Sequence, residues 1–265
     1  MATNALISTV CGLAAAAAAV VAGTAGASPA DAATARGTRV AHVPVLMYHR
    51  IGVTDASTPA TTRGLTVRPR TFVRQMQWLH RNGYRTLTQQ ELHSALVSGH
   101  RLPPKPVLIT LDDGYDDVLR HALPVLKRLR MRATAYVITS RTGDWRSPFL
   151  SWFELRRLER GGIEIASHTV SHRDLRTLSD RELRYELVAS RRALERRLQH
   201  PVPWLAYPFG GHDRRVVAAA RRAGYALAVT TVGGTWQDGR RPLELRRISI
   251  TNATGERAFA AMLGG

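Results

Sequence analysis

The sequence has almost no cysteine and almost no lysine. Among its 265 residues Cys11 is the single cysteine, and only Lys105 and Lys127 among the 38 basic residues are lysines. One cysteine excludes a disulfide-stapled miniprotein. Aromatic residues make up 6%, charged residues 22% and hydrophobic residues 44% of the chain. These proportions exclude a disordered polyelectrolyte and an integral membrane bundle, and they fit a domain with a sizeable core.

Acidic residues are also few, 20 against 38 basic ones, so the formal net charge is +18. The basic residues are spread from Arg36 to Arg257 without an aromatic-studded basic stripe or a finger motif. This distribution argues against a nucleic-acid-binding protein. Two interpretations stay open: a generally arginine-rich surface, or retention on an anionic cell-surface polymer.

The N-terminal segment contains neither lysine nor arginine over 35 residues, and residues 5–27 are almost wholly small or apolar. We predict a signal peptide over residues 1–27, with small-residue cleavage patterns at Ala25-Gly26-Ala27 and again at Ala30-Asp31-Ala32. An uncleaved membrane anchor is the alternative. Cleavage predicts a secreted or cell-wall-associated protein in which residues 28–42 form a linker and residues 43–265 a single domain.

From Val43 onward, strand and helix patterns alternate about seven times. Residues 106–111 form the clearest central strand, a near-continuous apolar run of the kind that parallel sheets bury on both faces. Such alternation predicts a parallel α/β architecture, and both an open sheet and an incomplete barrel fit it. In either case, the chemistry is expected at the carboxyl ends of the strands.

Two of these strand ends carry residues suited to a metal centre. Asp112 and Asp113 follow the central strand, where adjacent carboxylates repel each other unless a cation is near. His168 and His172 follow a strand at residues 163–166, and in a helical turn both imidazoles would face the same side. One carboxylate and two histidines form a ligand set that leaves positions open for water and substrate.

Together with Tyr207-Pro208-Phe209-Gly210, these motifs resemble the polysaccharide deacetylase (carbohydrate esterase) family over roughly residues 43–251. The resemblance implies an incomplete or distorted (β/α) barrel of about seven strands and metal-dependent removal of acetyl groups from N-acetylated sugars. It assigns the metal ligands to Asp113, His168 and His172, the general base to Asp112, and the oxyanion and substrate-binding positions to Phe209 and Tyr207.

The sequence departs from the family pattern at two points. The family's arginine before the Pro-aromatic pair is Ala206 here, and the last predicted strand, at residues 247–250, lacks the usual histidine. His49 follows an early strand instead, an order that resembles the circularly rearranged branch with exported poly-N-acetylglucosamine deacetylases. It is therefore assigned as the general acid. We expect Arg246 or Arg247 to replace the arginine, and alternation along a strand leaves the choice open because it places them on opposite faces.

The ligand set favours Zn²⁺, with Co²⁺ or Ni²⁺ as alternatives. Trp145 and Trp236, in the loops at residues 139–150 and 232–242, are candidates for stacking against sugars, although Trp236 is not assigned to the site. Peptidoglycan, chitin-like chains and poly-N-acetylglucosamine stay open as substrates. The alternative functions are an O-acetyl polysaccharide esterase, a deacetylase of small molecules, and a catalytically silent, cationic wall-binding protein.

Overall fold

The structure is a computed structural model that describes residues 40–143 and 147–264. The predicted signal peptide, most of the predicted linker and Trp145 lie outside the described residues. No helix within these two ranges is long and apolar enough to cross a membrane.

The described residues form twelve strands, and seven of them make a closed parallel ring in the order β2, β12, β10, β9, β8, β7, β6. Pairing of Val45 with Leu108 through Tyr48 with Leu111 joins the first and last members, and β5 adds to the start of β6. The strands are β1 (Val40–His42), β2 (Val45–Tyr48), β3 (Arg50–Ile51), β4 (Thr66–Val67), β5 (Arg85–Thr86), β6 (Pro106–Leu111), β7 (Ala133–Val137), β8 (Ile163–Ser167), β9 (Trp204–Ala206), β10 (Leu227–Gly233), β11 (Trp236–Asp238) and β12 (Leu245–Ser249). The prediction of an α/β barrel of about seven strands is confirmed, and the ring has one strand fewer than a complete (β/α)₈ barrel.

Helices cover the outside of the ring, and three begin at the capping boxes that the sequence contains. Thr88 with Glu91, Ser151 with Glu154 and Ser179 with Glu182 each exchange side-chain and backbone hydrogen bonds. The helices are α1 (Ala60–Leu65), α2 (Pro69–Arg81), α3 (Gln89–His93), α4 (Leu123–Leu129), α5 (Trp152–Arg160), α6 (Asp180–Leu198), α7 (Arg214–Arg222) and α8 (Glu256–Met262). Residues 118–129 form one wide π-helical turn, Val118–Ala122, followed by α4.

Between β10 and β12 the chain forms a strand instead of a helix. β11 pairs antiparallel with β1, with Trp236 opposite His42. The last three residues of the predicted linker, Val40–His42, are therefore a strand of the folded domain.

Alternation along the strands sorts side chains between the ring interior and the helical layer. Val45, Leu108, Tyr136 and Leu245 belong to the interior cluster, while Leu46, Ile109 and Leu111 pack outward against the helices. The residues that follow the strands at their carboxyl ends then converge at one rim of the ring.

Candidate active site and metal centre

Asp113, His168 and His172 come together at the carboxyl rim of the barrel. One ligand atom from each lies within 4.8 Å of the other two. Nε2 of each histidine lies 3.5 Å from Oδ1 of Asp113, and the imidazole centroids are 4.6 Å apart. One carboxylate oxygen and two imidazole nitrogens converging in this way fit a divalent cation such as Zn²⁺. The structure thus brings together the three side chains that the sequence assigned to the metal.

The histidines converge without a helical turn, which was the condition considered for placing both imidazoles on one side. Residues 168–173 form an irregular loop in which Thr169 (φ 68°) and His172 (φ 59°) adopt left-handed backbone conformations. Such conformations are costly for residues other than glycine and recur at functional sites, where surrounding contacts must hold them.

Glu186 on α6 holds this loop in place. Its side chain is buried and accepts hydrogen bonds from the backbone N–H groups of Val170 and Ser171, at 2.8 and 2.9 Å, and from the Ser171 hydroxyl. Sequence reasoning missed this residue, although a signal was present. Glu186 lies one position before Leu187 on the apolar stripe of α6, and a carboxylate on a buried helical face needs hydrogen-bond donors.

His168 is oriented by the backbone of β9. Its Nδ1 lies 2.9 Å from the carbonyl oxygen of Ala206, so Nδ1 must carry the proton and donate. In the neutral ring, Nε2 then presents its lone pair toward Asp113, as a metal ligand requires.

Burial and neighbouring charges shift the pKa values of all three groups. Burial opposes the charged form of His168, but its hydrogen bond to Asp113 and the charges of Asp112 and Asp113 outweigh burial and raise its pKa. Burial and the charge of His168 lower the pKa of His172 to about 4. Burial opposes ionisation of Asp113 as well, yet the hydrogen bond and charge of His168 lower the pKa of that carboxyl to about 2. Asp113 and His172 are therefore in their metal-binding protonation states at neutral pH.

Asp112 forms a buried, bidentate ion pair with Arg247. Nη1 lies 2.8 Å from Oδ1 and Nη2 lies 2.8 Å from Oδ2, and the two side chains are 1% and 3% exposed. Arg247 also donates to the carbonyl of Thr230 and to the hydroxyl of Thr110. Burial works against ionisation of Asp112, but the charge of Arg247 prevails and lowers the pKa of the carboxyl. The choice between Arg246 and Arg247 is thereby decided, because Arg246 faces away and donates to the carbonyl of Gly233.

His49 stands at the end of β2, within electrostatic reach of this group. Its Nδ1 is buried and makes no hydrogen bond to any described residue. Burial lowers the pKa of His49, and Arg247 and His168 lower it further, while Asp112 and Asp113 favour the charged ring. One nitrogen of the predicted general acid is therefore without a hydrogen-bond partner among residues 40–143 and 147–264.

Phe209 and Tyr207 occupy different surroundings. Phe209 is 66% exposed, has a left-handed backbone (φ 57°) and places its ring 4.6 Å from that of His172. Tyr207 is buried in the layer between β9 and the outer helices, where its ring stacks on His212.

The turn that carries Phe209 depends on Gly210. This glycine has a φ of +70°, and a Cβ there would lie 2.1 Å from Oγ1 and 2.6 Å from N of Thr231. Only glycine satisfies both constraints. Thr231 also donates a hydrogen bond to the Phe209 carbonyl, which fixes the turn against β10.

Comparisons with known proteins place the chain among named deacetylases. A family model described as polysaccharide deacetylase matches residues 99–228. YxkH of Bacillus subtilis strain 168, whose name assigns it to the polysaccharide deacetylases, is 31% identical over 223 residues, or 84% of this chain and 76% of YxkH. The poly-beta-1,6-N-acetyl-D-glucosamine N-deacetylase of Staphylococcus aureus strain MSSA476 is 25% identical over 168 residues, which span 58% of this chain and 57% of that enzyme. The solved structure of Streptococcus pyogenes deacetylase PplD, in complex with acetate, superposes with a TM-score of 0.77 at 30% identity and covers 83% of this chain and 97% of that chain.

Proposed function

The chain belongs to the polysaccharide deacetylase family, and from that premise we propose that it is an exported, metal-dependent hydrolase acting on N-acetylglucosamine-containing polysaccharide. It removes N-acetyl groups, releases acetate and leaves free amines on the sugar. The observation that carries the proposal is the convergence of Asp113, His168 and His172 beside the buried Asp112–Arg247 pair. A polymer substrate is supported by the similar S. aureus enzyme, which is named for poly-beta-1,6-N-acetyl-D-glucosamine.

Asp113, His168 and His172 would hold the cation, Zn²⁺ in preference to Co²⁺ or Ni²⁺, and its contribution when bound is Lewis acidity toward the acetyl carbonyl and the attacking water. The protein supplies the base. Arg247 keeps Asp112 ionised in a buried position, so the carboxylate accepts a proton as the water oxygen attacks the acetyl carbon.

The remaining steps need an oxyanion donor and a proton for the leaving nitrogen. The backbone N–H of Phe209, held at the rim by the Gly210 turn, is proposed to stabilise the oxygen that becomes negatively charged. The carbon–nitrogen bond then breaks, and protonated His49 donates its proton to the departing amine. Burial is the larger effect and lowers the pKa of His49, while the charges of Asp112 and Asp113 favour the protonated form that this step needs.

The experiment is an acetate-release assay on N-acetylglucosamine oligomers of one to six sugars, with protein purified from the culture medium. It compares added Zn²⁺, chelator, and the Asp112→Asn variant, which keeps the shape of the side chain but removes the base. We expect release with metal, none after chelation, and a loss of about 10²-fold or more in the variant. A first residue of Ser28 would support export with cleavage of the leader.

Other outcomes would contradict the proposal. Release from O-acetylated xylan but from none of the N-acetylated oligomers would make the protein an O-acetyl esterase. Absence of release from every acetylated glycan, in protein that binds one metal ion per chain, would favour the cationic wall-binding protein.

A further inference from the structure

A second concave site lies beside the catalytic rim, on the side of the barrel where β11 replaces a helix. This site, termed the Trp236 cleft, has a volume of about 680 Å³ and is lined by His212, Val232, Trp236, Arg241, Glu244 and Arg246, among others. None of these residues belongs to the proposed metal or proton-transfer groups. The cleft therefore needs an explanation of its own.

The cleft is joined to the catalytic rim through short connections. Thr231 donates to the carbonyl of Phe209, whose ring lies 4.6 Å from that of His172, and the next residue, Val232, lines the cleft. On the other wall, His212 stacks on Tyr207 at 5.5 Å, directly before the turn that carries Phe209. A chain lying across the rim would thus reach the cleft.

Trp236 offers an open aromatic surface there. It is 60% exposed although it is a large apolar residue; Val232, in the same cleft, is 44% exposed, and Phe209, beside His172, is 66% exposed. The antiparallel pairing of β11 with β1 fixes the indole, and His42 backs it with ring centroids 5.1 Å apart. Exposed apolar side chains that gather in a cleft rimmed by polar residues are typical of a binding surface.

Guanidinium groups surround this surface. Arg240 pairs with Asp238, and Arg241 lies 3.8 Å from Glu244, whereas the hydrogen bond recorded for the Arg246 guanidinium goes to the Gly233 carbonyl. The aliphatic part of Arg246 packs on Gly234, where a Cβ would lie 2.8 Å from its Cδ. The cleft thus combines an aromatic face with fixed N–H donors and one more guanidinium than carboxylate.

We propose that the Trp236 cleft binds a sugar ring of the polysaccharide other than the ring whose acetamide is hydrolysed. A pyranose has an apolar C–H face that packs on an indole, and hydroxyl groups at its edge that accept hydrogen bonds from guanidinium groups. This inference rests on the proposed function and adds to it a binding site that makes the enzyme prefer longer substrates. Binding energy from such a remote ring raises kcat/KM on long substrates and contributes nothing on short ones.

The test measures kcat/KM for oligomers of two to six sugars with Trp236→Ala and Trp236→Phe. We expect Trp236→Ala to lose about three- to tenfold on the hexamer relative to its change on the disaccharide, since an aromatic contact supplies that much. Trp236→Phe should recover most of the loss. Phe153→Ala on α5 is the matched control, because Phe153 is similarly exposed, at 67% against 60% for Trp236, and lies outside the cleft.

Three results would overturn the inference. They are an equal loss at every oligomer length, an equal effect of Phe153→Ala, or no effect of Trp236→Ala in a variant whose melting temperature matches the parent protein. If the parent protein hydrolyses no oligomer, the proposed function fails, and calorimetric binding of the same oligomers then tests the cleft separately. Length-dependent affinity that Trp236→Ala abolishes would support the cleft, and affinity independent of Trp236 would refute it.

Discussion

Replacing Arg247 by methionine removes one partner of the buried ion pair while keeping a side chain of similar length. The guanidinium makes two 2.8 Å contacts to Asp112, and both groups are almost fully buried. Breaking a buried pair from one side costs about 3–5 kcal/mol, because the remaining charge has lost its partner and cannot reach water. The methionine itself adds little strain, since it is flexible and adapts to its surroundings.

The free-energy cost of Arg247→Met depends on pH, and the direction of this dependence follows from the Asp112–Arg247 ion pair. In the parent protein, Arg247 lowers the pKa of Asp112 below that of an unfolded aspartate. The pair therefore contributes stability above the unfolded pKa, near 4, and this contribution is lost as the pH falls through the folded value. In Arg247→Met, only the charges of His168 and His49 still oppose burial, so we expect the pKa of Asp112 to rise. The loss of unfolding free energy is thus expected to be large at pH 7, to shrink as the pH falls, and to be small only below the folded pKa of Asp112, which lies under the unfolded value near 4.

The same substitution should separate stability from catalysis. With Asp112 protonated over more of the pH range, the acidic limb of the kcat/KM profile moves to higher pH. We expect a loss of about 10²-fold at pH 6, with partial recovery at pH 9. Urea unfolding between pH 4 and 8 and acetate release between pH 5 and 9 at saturating metal measure the two effects.

Arg74→Met is the control, because Arg74 is a half-exposed surface residue 3.7 Å from Glu256 and its pair should contribute less than about 1 kcal/mol. An Arg247→Met protein with the parent's pH profile and the parent's unfolding free energy at pH 7 would refute the reasoning. A uniform loss of activity at every pH would show that Arg247 acts on something other than the ionisation of Asp112.

Two further predictions concern the supports of the site. Glu186→Gln replaces an acceptor of three hydrogen bonds by a group with one acceptor atom, and we expect Zn²⁺ affinity to fall by about 10–100-fold in a chelator competition. Glu256→Gln, on the exposed end of α8, is the control. Equal Zn²⁺ affinities in the parent protein and both variants would contradict the role of Glu186. Gly210→Ala adds a Cβ that collides with Thr231, whereas the added Cβ of Gly83→Ala, at a similar φ of +76°, meets no atom within 4 Å. Thermal unfolding should show that Gly83→Ala lowers the unfolding free energy by about 1 kcal/mol and that Gly210→Ala lowers it further and also lowers kcat. Equal losses of unfolding free energy in the two variants would refute the collision.

The sequence predicts best what depends on neighbours along the chain. The three capping boxes place the starts of α3, α5 and α6 correctly, because each box is complete within four residues. The closure of the ring could not be predicted from the local alternation of strands and helices, because this alternation fits an open sheet equally well. It depends on the pairing of β2 with β6, about 60 residues apart. Strand β1 was assigned to the linker for the same reason, since its partner β11 lies almost 200 residues away.

In the candidate site, too, some features follow from the local sequence and others do not. Residue types and strand ends were enough to bring Asp113 near His168 and His172, but the left-handed conformations of the histidine loop have no signature in the residues concerned. The sequence left the choice between Arg246 and Arg247 on β12 open for another reason. Leu245 and Ile248 are both apolar, but residues three apart on a strand point to opposite faces, so the apolar pattern does not show which face is the interior one. In the structure only Leu245 lies in the interior cluster.

The position of Arg247 explains how a family arginine can be absent from its usual place in the sequence. Ala206 on β9 is buried in the barrel interior, and β9 and β12 are the two neighbours of β10 in the ring. From the far side of β10, Arg247 enters the same interior, and its Nε donates to the carbonyl of Thr230 on β10 itself. A carboxylate needs a guanidinium of the right orientation, whichever strand supplies it. The small Ala206 leaves room in the interior, and its carbonyl oxygen serves the site in another way, by orienting His168.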